Sequence, residues 1–218
     1  MKLSKTTIDV LKNFASINNG MVIHEGSRIR TQDNLNKQIA FADIDDSFPM
    51  DFAVYDLGEF LSALALVPEA ELTFHESFVE VSNPSTSLTF QYANMAFVTE
   101  APEKVNFPQD GVVDFEVRGE DLTQVLKASS TLGLPEIRVS SEMGTKEIQM
   151  SAVDAEGASK HTFKINVGET KENEEFEFFF KSDLLTIVKQ DYRVSIHPAG
   201  IGRFVGLNLE YFIATEAH

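Results

Sequence analysis

The first candidate for chemistry is the acidic run Asp43-Ile-Asp45-Asp46, whose spacing matches the opening of a calcium-binding loop. Such a loop requires a glycine at its sixth position and a bidentate glutamate at its twelfth. Phe48 and Val54 occupy those two positions instead. The run is therefore interpreted as strand sequence with exposed acids, and no metal site is predicted.

Other catalytic signatures are also missing from the sequence. The segment Gly200–Gly206 (GIGRFVG) imitates a dinucleotide-binding fingerprint, but it has one residue too many before the last glycine and strand-like residues follow it. It is interpreted as a hairpin turn. The sequence has no cysteine, no helical histidine pair with metal-binding spacing, no nucleophile elbow and no Walker loop. We expect neither an enzyme nor a cofactor.

The net charge of −16, from 34 acids and 18 bases, argues against a general affinity for nucleic acid. Salt, however, screens exposed charges beyond about 8–10 Å, so an acidic protein can still present one basic surface. The informative question is therefore where the bases lie. The N-terminus has no apolar stretch of the signal-peptide type, and the absence of cysteine fits a cytosolic protein.

The elements that would position these bases follow a helix–strands–helix–strands order that occurs twice. Apolar periodicity and cap residues predict the first helix of each half at Ser4–Asn18 and Gly119–Leu132. They predict a second, shorter helix at Asp56–Val67 and Ser182–Gln190. The repeated order indicates a duplicated α+β domain.

Alternating apolar and polar residues predict several strands after each helix. The last strand predicted in the first half is Met95–Thr99. The segment Glu100–Asp110, which contains two prolines and mixed charge, is typical of a connector. We therefore expect an N-terminal domain at residues 1–108 and a C-terminal domain at residues 109–218.

Lysines lie on the polar faces of three of the predicted helices. A helical wheel places Lys5 and Lys12 opposite the apolar face of the first helix. Lys127 and Lys189 have the same relation to the apolar faces of their own helices. Two interpretations remain open, because lysine is normal on a solvated helix face and these faces could also meet a polyanion.

Three segments carry a resemblance to a known family. The opening MKLSKTTIDVLKNFASINNG, the later YDLGEFLSALALV and, more thinly, DFEVRGEDLTQVLKAS resemble the sliding clamp of T4-like bacteriophages, a DNA polymerase processivity factor. The resemblance implies two DNA-clamp domains per subunit, with helices on one face of antiparallel sheets. It also implies a head-to-tail homotrimeric ring in which the helices line the central hole.

The family function implied is to encircle duplex DNA and tether the replicative DNA polymerase for processive synthesis. The helix faces that carry the lysines would then lie against the DNA and contact it without recognising its base sequence. The expected DNA-facing residues are Lys5, Lys12, Lys127 and Lys189, with Lys2, Arg118 and Lys181 as neighbours. The segment Asp56–Val67 carries no base, so its part of the lining would be neutral.

The resemblance also implies partner proteins: the polymerase, the clamp-loader ATPase and late-transcription factors. These would dock peptides in an apolar pocket near the connector. The expected pocket residues are Val105, Phe107, Pro108, Tyr211, Phe212 and Ile213. Strand core and packed linker is the alternative interpretation of the same residues.

For the contact between subunits we expect pairing of edge strands. By analogy with clamps, the residues would be Ala96, Phe97, Val98 and Thr99 of one subunit with Thr162, Phe163, Lys164 and Ile165 of the next. The expected location is the cytoplasm of an infected bacterial host. An alternative consistent with the acidity is an adaptor of duplicated α+β design that binds proteins and no DNA.

Overall fold

The computed structural model describes residues 1–170 and 175–217. Contacts within the chain divide it into two units, Met1–Lys104 and Val105–His218. The first unit therefore ends four residues before the predicted boundary at residue 108. Each unit is described separately below.

The described residues form three α-helices: α1 (Lys5–Ile17), α2 (Leu57–Ala65) and α3 (Gly119–Leu132). Ser4 and Asp56 cap the first two, because the Ser4 hydroxyl accepts a hydrogen bond from the Thr7 amide and the Asp56 carboxylate accepts one from the Glu59 amide. Helix α3 ends at Gly133, whose φ of 66° is the left-handed conformation that favours glycine. Within the described part of the chain, no helix is long and apolar enough to cross a membrane.

The helix predicted at Ser182–Gln190 is wrong. Only a 3-10 turn, Ser182–Leu185, forms there. Thr186, Ile187 and Val188 are consecutive β-branched residues, which disfavour a helix. The backbone N–H and C=O of Val188 instead bond to two tyrosine hydroxyls elsewhere in the unit. These tertiary bonds replace the ones that a helix would have made.

The first unit contains seven strands, all in antiparallel pairs. They are β1 (Met21–Ile23), β2 (Gly26–Gln32), β3 (Gln38–Phe48), β4 (Phe52–Val54), β5 (Glu71–Phe74), β6 (Phe78–Asn83) and β7 (Thr86–Gln91). Strands β1 and β4 pair, β2 and β3 form a hairpin, and the last three form a sheet in the order β5-β6-β7.

The strand predicted at Met95–Thr99 is also wrong. Met95–Phe97 is a 3-10 turn, and the residues after it are not in a strand. The side chain of Asn94 accepts a hydrogen bond from the Ala96 amide at 3.0 Å and thereby caps the turn. Local capping by Asn94 thus decides the structure, and β7 is the last strand of this unit in the chain.

The second unit has two antiparallel sheets. Its strands are β8 (Val113–Val117), β9 (Glu136–Ser141), β10 (Glu147–Val153), β11 (Phe163–Glu169), β12 (Phe176–Lys181), β13 (Tyr192–His197), β14 (Ile201–Val205) and β15 (Leu209–Ala214). One sheet has the order β11-β10-β9-β12. In the other, the strands of this unit follow one another in the order β15-β14-β13-β8.

Both cores are built where the apolar helix faces meet the sheets. In the first unit α1 packs against β3 and buries Leu11 and Phe14 completely. In the second unit α3 packs against β9, β10 and β11 and buries Val125. Because the apolar faces are used for packing, the opposite, polar faces of α1 and α3 remain exposed.

Candidate functional site

The exposed face of α1 carries Lys5 and Lys12 with Asp9 between them. The Lys5 ammonium donates a 2.6 Å hydrogen bond to Asp9, and the Lys12 ammonium lies 3.7 Å from the same carboxylate. The hydrogen bond from Lys5 lowers the pKa of Asp9 below its ordinary value, so the group is ionised at neutral pH. The trio therefore presents one net positive charge, weaker than two free lysines would.

Helix α1 is fastened to its sheet at its first turn. The Asp46 carboxylate on β3 accepts a hydrogen bond from the Ser4 amide at 2.7 Å. Burial raises the pKa of Asp46, but hydrogen bonds from Thr7 and Ser4 outweigh that effect and hold the pKa below its ordinary value. This anchor fixes the start of the helix on which Lys5 stands.

The exposed face of α3 forms one wall of an open cleft of about 550 Å³. Lys127 lies on the helix side of the cleft and Lys189 on the segment opposite, with the amide side chains of Gln124 and Gln190. Among the described residues, neither Lys127 nor Lys189 forms an ion pair. Two predicted DNA-facing lysines are thus brought to one surface, in a cleft that also contains the acids Glu120 and Asp191.

Two buried tyrosines hold the segment that carries Lys189. The Tyr192 hydroxyl donates a 2.6 Å hydrogen bond to the Val188 carbonyl oxygen, and the Tyr211 hydroxyl accepts one from the Val188 amide at 3.3 Å. Burial raises the pKa of Tyr192 to about 12 and raises that of Tyr211 as well, so both stay protonated near neutral pH. Lys189 is therefore positioned by the core of the unit and not by a helix.

The start of α3 is capped by a residue that the local sequence does not predict. Arg118 occupies the cap position and makes no side-chain cap bond. The Asp191 carboxylate, which follows the Lys189 segment, accepts the Gly119 amide hydrogen at 2.8 Å instead. The same bond ties the two walls of the cleft together.

The remaining predicted bases are paired with acids within their own units. Arg118 lies 2.7 Å from both Glu120 and Asp121, and the hydrogen bond with Asp121 raises its pKa. The Lys181 ammonium donates a 2.8 Å hydrogen bond to Glu136.

Lys2 lies 3.6 Å from the exposed Glu69 and so forms a weaker pair. These pairs reduce what the three bases can offer to an external anion.

The exposed residues of α2 and its C-terminal end are neutral or acidic. Glu59, Ser62, Ala65 and Leu66 face solvent, and Leu66 is 70% exposed. This agrees with the absence of a base in the sequence of that segment.

Two of the residues predicted for a peptide pocket, Phe107 and Phe212, are neighbours in the second unit. The rings of Phe107 and Phe212 lie 6.2 Å apart, centroid to centroid. The Arg203 guanidinium lies 6.0 Å from the first ring and 5.8 Å from the second, and its Nε donates a 2.6 Å hydrogen bond to Glu210. Arg203 is not predicted as a pocket residue, because an arginine within a strand gives no local sign that it stacks on a phenylalanine.

The other predicted pocket residues differ in accessibility. Val105 and Pro108 are half-buried beside Phe107 in the chain. Tyr211 and Ile213 are completely buried and have no exposed surface with which to meet a peptide. Strand alternation explains this, because both point away from the side on which Phe212 contacts Phe107.

Two outer strands, one in the β5-β6-β7 sheet and one in the β11-β10-β9-β12 sheet, have a ladder partner on one side only among the described residues. These are β7 in the first unit and β11 in the second. The far edges of the same sheets are covered: Leu72 of β5 exchanges backbone hydrogen bonds with Met1, and Phe179 of β12 bridges to Glu216. Free edges of this kind can add a further strand.

Comparison with known families decides the assignment. A model described as "DNA polymerase processivity factor" matches residues 2–94, and one described as "gp45 sliding clamp, C terminal" matches residues 114–217. The chain belongs to the sliding-clamp family. The resemblance read from the sequence is confirmed, as is the predicted function of a sliding clamp serving DNA polymerase processivity, and the adaptor alternative is not favoured.

Full-length relatives support the same family. The chain is 70% identical over 220 residues to the sliding clamp of Vibrio phage KVP40, with all of both chains covered. It is 30% identical to the sliding clamp of Escherichia phage RB69, covering all of this chain and 97% of that one.

Among solved structures, A. fulgidus PCNA bound to the C-terminal region of FEN-1 superposes with a TM-score of 0.71. The sequence identity is 13%, and 97% of this chain and 95% of that chain are covered. This confirms the predicted fold of duplicated clamp domains with helices on antiparallel sheets.

Over residues 1–170 and 175–217, no group of three or more histidines and acids is placed to hold a metal ion.

Proposed function

We propose that three copies of this chain assemble head to tail into a ring that encircles duplex DNA, tethers the replicative polymerase and catalyses no reaction. The observation that carries the proposal is that clamp-family models match both halves, residues 2–94 and 114–217. Domains at 1–108 and 109–218, each supplying part of the lining, would give a trimer six similar segments around its hole.

We propose that the lining touches DNA through few, exposed lysines. Lys5, Lys12, Lys127 and Lys189 are all exposed, and Asp9 reduces the charge of the first two. A sparse set of phosphate contacts gives weak, sequence-independent attraction, which suits sliding. Lys2, Arg118 and Lys181 are proposed as secondary contacts, because each must share its charge with an acid.

We propose that partner peptides bind at the Phe107–Phe212–Arg203 cluster, with Val105 and Pro108 as its rim. Tyr211 and Ile213 would support this site from the core. The expected partners are the DNA polymerase and the clamp-loader ATPase, followed by late-transcription factors. Support comes from the half-buried Phe107 and Arg203, which contact the buried Phe212, and from the bound FEN-1 region in the A. fulgidus neighbour.

We propose that subunits join through their free strand edges. Lys164 and Ile165 with their neighbours Thr162 and Phe163 lie at or on β11, which is such an edge. On the other side, the turn Ala96–Phe97 and the following Val98 and Thr99 would flank β7. Phe97 is 74% exposed and is available for apolar contact. The assembled ring would act in the cytoplasm of the infected bacterial host.

The proposal is tested by threading. The protein is loaded with its clamp loader and ATP on nicked circular DNA, and retention during gel filtration is compared before and after the DNA is linearised. We expect a free particle of about 73 kDa, three times the chain's 24.3 kDa, and loss of the protein from linear but not circular DNA. Equal retention on both DNAs would overturn the proposal.

A further inference from the structure

The two free edges of the sheets carry opposite local charge. Residues 71–91, which form the sheet that ends in β7, contain Glu71, Glu76 and Glu80 and no lysine or arginine. Residues 160–169, which lead into and form β11, contain Lys160, Lys164 and a single acid, Glu169, at the end of the strand. In a chain with a net charge of −16, a locally basic edge stands out against the rest of the surface.

Glu80 is oriented towards the free edge of its sheet. It lies on β6 directly opposite Thr89 of β7. The hydroxyl of Ser87, also on β7, donates a 2.8 Å hydrogen bond to one carboxylate oxygen of Glu80, and His75 lies 3.9 Å from the other. The carboxylate of Glu80 therefore lies one strand in from the edge, and one of its oxygens faces the edge strand β7.

Lys164 is on the exposed side of the edge strand β11. It is opposite Ser151 of β10, and the alternating residues Phe163 and Ile165 point to the other side, which is half-buried. Among the described residues, Lys164 forms no ion pair. A lysine at this position also protects a free edge against unspecific strand addition.

Joining the two edges brings these side chains together. When two sheets continue into one, apolar faces align with apolar faces, so Phe163 and Ile165 would share a face with Leu88 and Phe90 of β7. Lys164 then lies on the face of Ser87 and Glu80. Neighbouring strands are about 4.8 Å apart, so a lysine side chain can reach a carboxylate one strand beyond its direct neighbour.

We infer that, in the proposed ring, Lys164 pairs with the partner subunit's Glu80 and that this pair enforces head-to-tail contact. The inference rests on the proposed function, from which it takes the second copy of the chain. Contact between two β7 edges would bring the Glu80 side chains of two copies together, whereas the unlike contact pairs Glu80 with a lysine. An unlike contact is also what closes a cyclic ring.

The test uses charge reversal with rescue. Lys164→Glu and Glu80→Lys are each expected to raise the protein concentration at half-assembly about tenfold, and the double variant is expected to return it close to that of the original protein. Lys146→Glu, in the exposed turn between β9 and β10, makes the same charge change away from the proposed pair and serves as the control. Sedimentation at low and high salt provides the measurement, and the original protein should lose assembly at high salt.

Two outcomes would overturn the inference. If the original protein forms the trimer but both reversals assemble equally well, or the double variant gives no rescue, the ion pair is absent while the proposed ring stands. If the original protein stays a monomer at tens of micromolar, both the pair and the proposed trimer fail.

Discussion

The hydroxyl of Tyr192 donates a 2.6 Å hydrogen bond to the carbonyl oxygen of Val188, the residue before Lys189. Tyr192 is 2% exposed, so the bond is shielded from water. Through it, a core residue of β13 fixes the backbone of a segment that has neither helix nor strand structure. The position of a surface lysine thus depends on a buried phenol.

Replacing Tyr192 by phenylalanine should lower the free energy of unfolding by about 1–3 kcal/mol, because the Val188 carbonyl loses its donor. Chemical denaturation measures the change. Tyr55→Phe removes a hydroxyl from a side chain that is 57% exposed and should leave stability unchanged. Equal loss in both variants, or none in either, would contradict the proposed role of Tyr192.

The cleft lysines give a prediction about DNA. The double variant Lys127→Glu/Lys189→Glu should shorten the products of loader-dependent primer extension without unfolding the protein. Each lost phosphate contact should reduce the slope of log affinity against log salt by about one. A matched Lys146→Glu variant should retain full processivity. Unchanged product lengths in the double variant would remove both lysines from the lining.

Lys181 is expected to matter for stability more than for DNA. Its ammonium is the counter-charge of Glu136, a side chain that is only 1% exposed. Lys181→Met should cost about 1–3 kcal/mol in the free energy of unfolding, because a buried carboxylate loses its counter-charge and keeps the hydrogen bond from the Ala155 amide. Adding Glu136→Gln should recover part of that loss. A Lys181→Met variant with full stability but poor processivity would instead favour the DNA-facing role.

The anchor of α1 predicts a dependence on pH. Since hydrogen bonds hold the folded-state pKa of Asp46 below the ordinary value of 3.8, its contribution to stability is present above that value and lost as the pH falls through the lower folded pKa. Asp46→Asn should therefore reduce the difference between the free energies of unfolding at pH 7 and at about pH 3. Urea denaturation at the two pH values measures it.

The control for this prediction lies on the same strand. Asp45 is exposed, and no hydrogen bond is recorded for its side chain among the described residues. Asp45→Asn should leave the pH dependence closer to that of the original protein. If both asparagine variants reduce the dependence equally, the acid-sensitive contribution does not come from the bonds to Ser4 and Thr7.

Several elements could be predicted because their signals are local. Helix α3 begins and ends where the sequence predicts, at Gly119 and Leu132, and α1 begins directly after its cap Ser4. Caps and apolar periodicity act over a few residues, so a linear sequence contains them in full. The exposed placement of Lys5 and Lys127 follows from the same periodicity.

Other features were decided by tertiary contacts. In place of the helix expected at Ser182–Gln190, Val188 accepts a hydrogen bond from Tyr192 and donates one to Tyr211. Helix α3 is capped by Asp191, 72 residues away in the chain from Gly119. Such partners are set by which strands lie side by side, and periodicity carries no information about them.

The sequence by itself determined the family, the duplicated plan and the lysine faces, while the tertiary structure decided which bases are paired and which side chains of the expected pocket are buried. The physical reason is that pairing and burial depend on residues far apart in the chain.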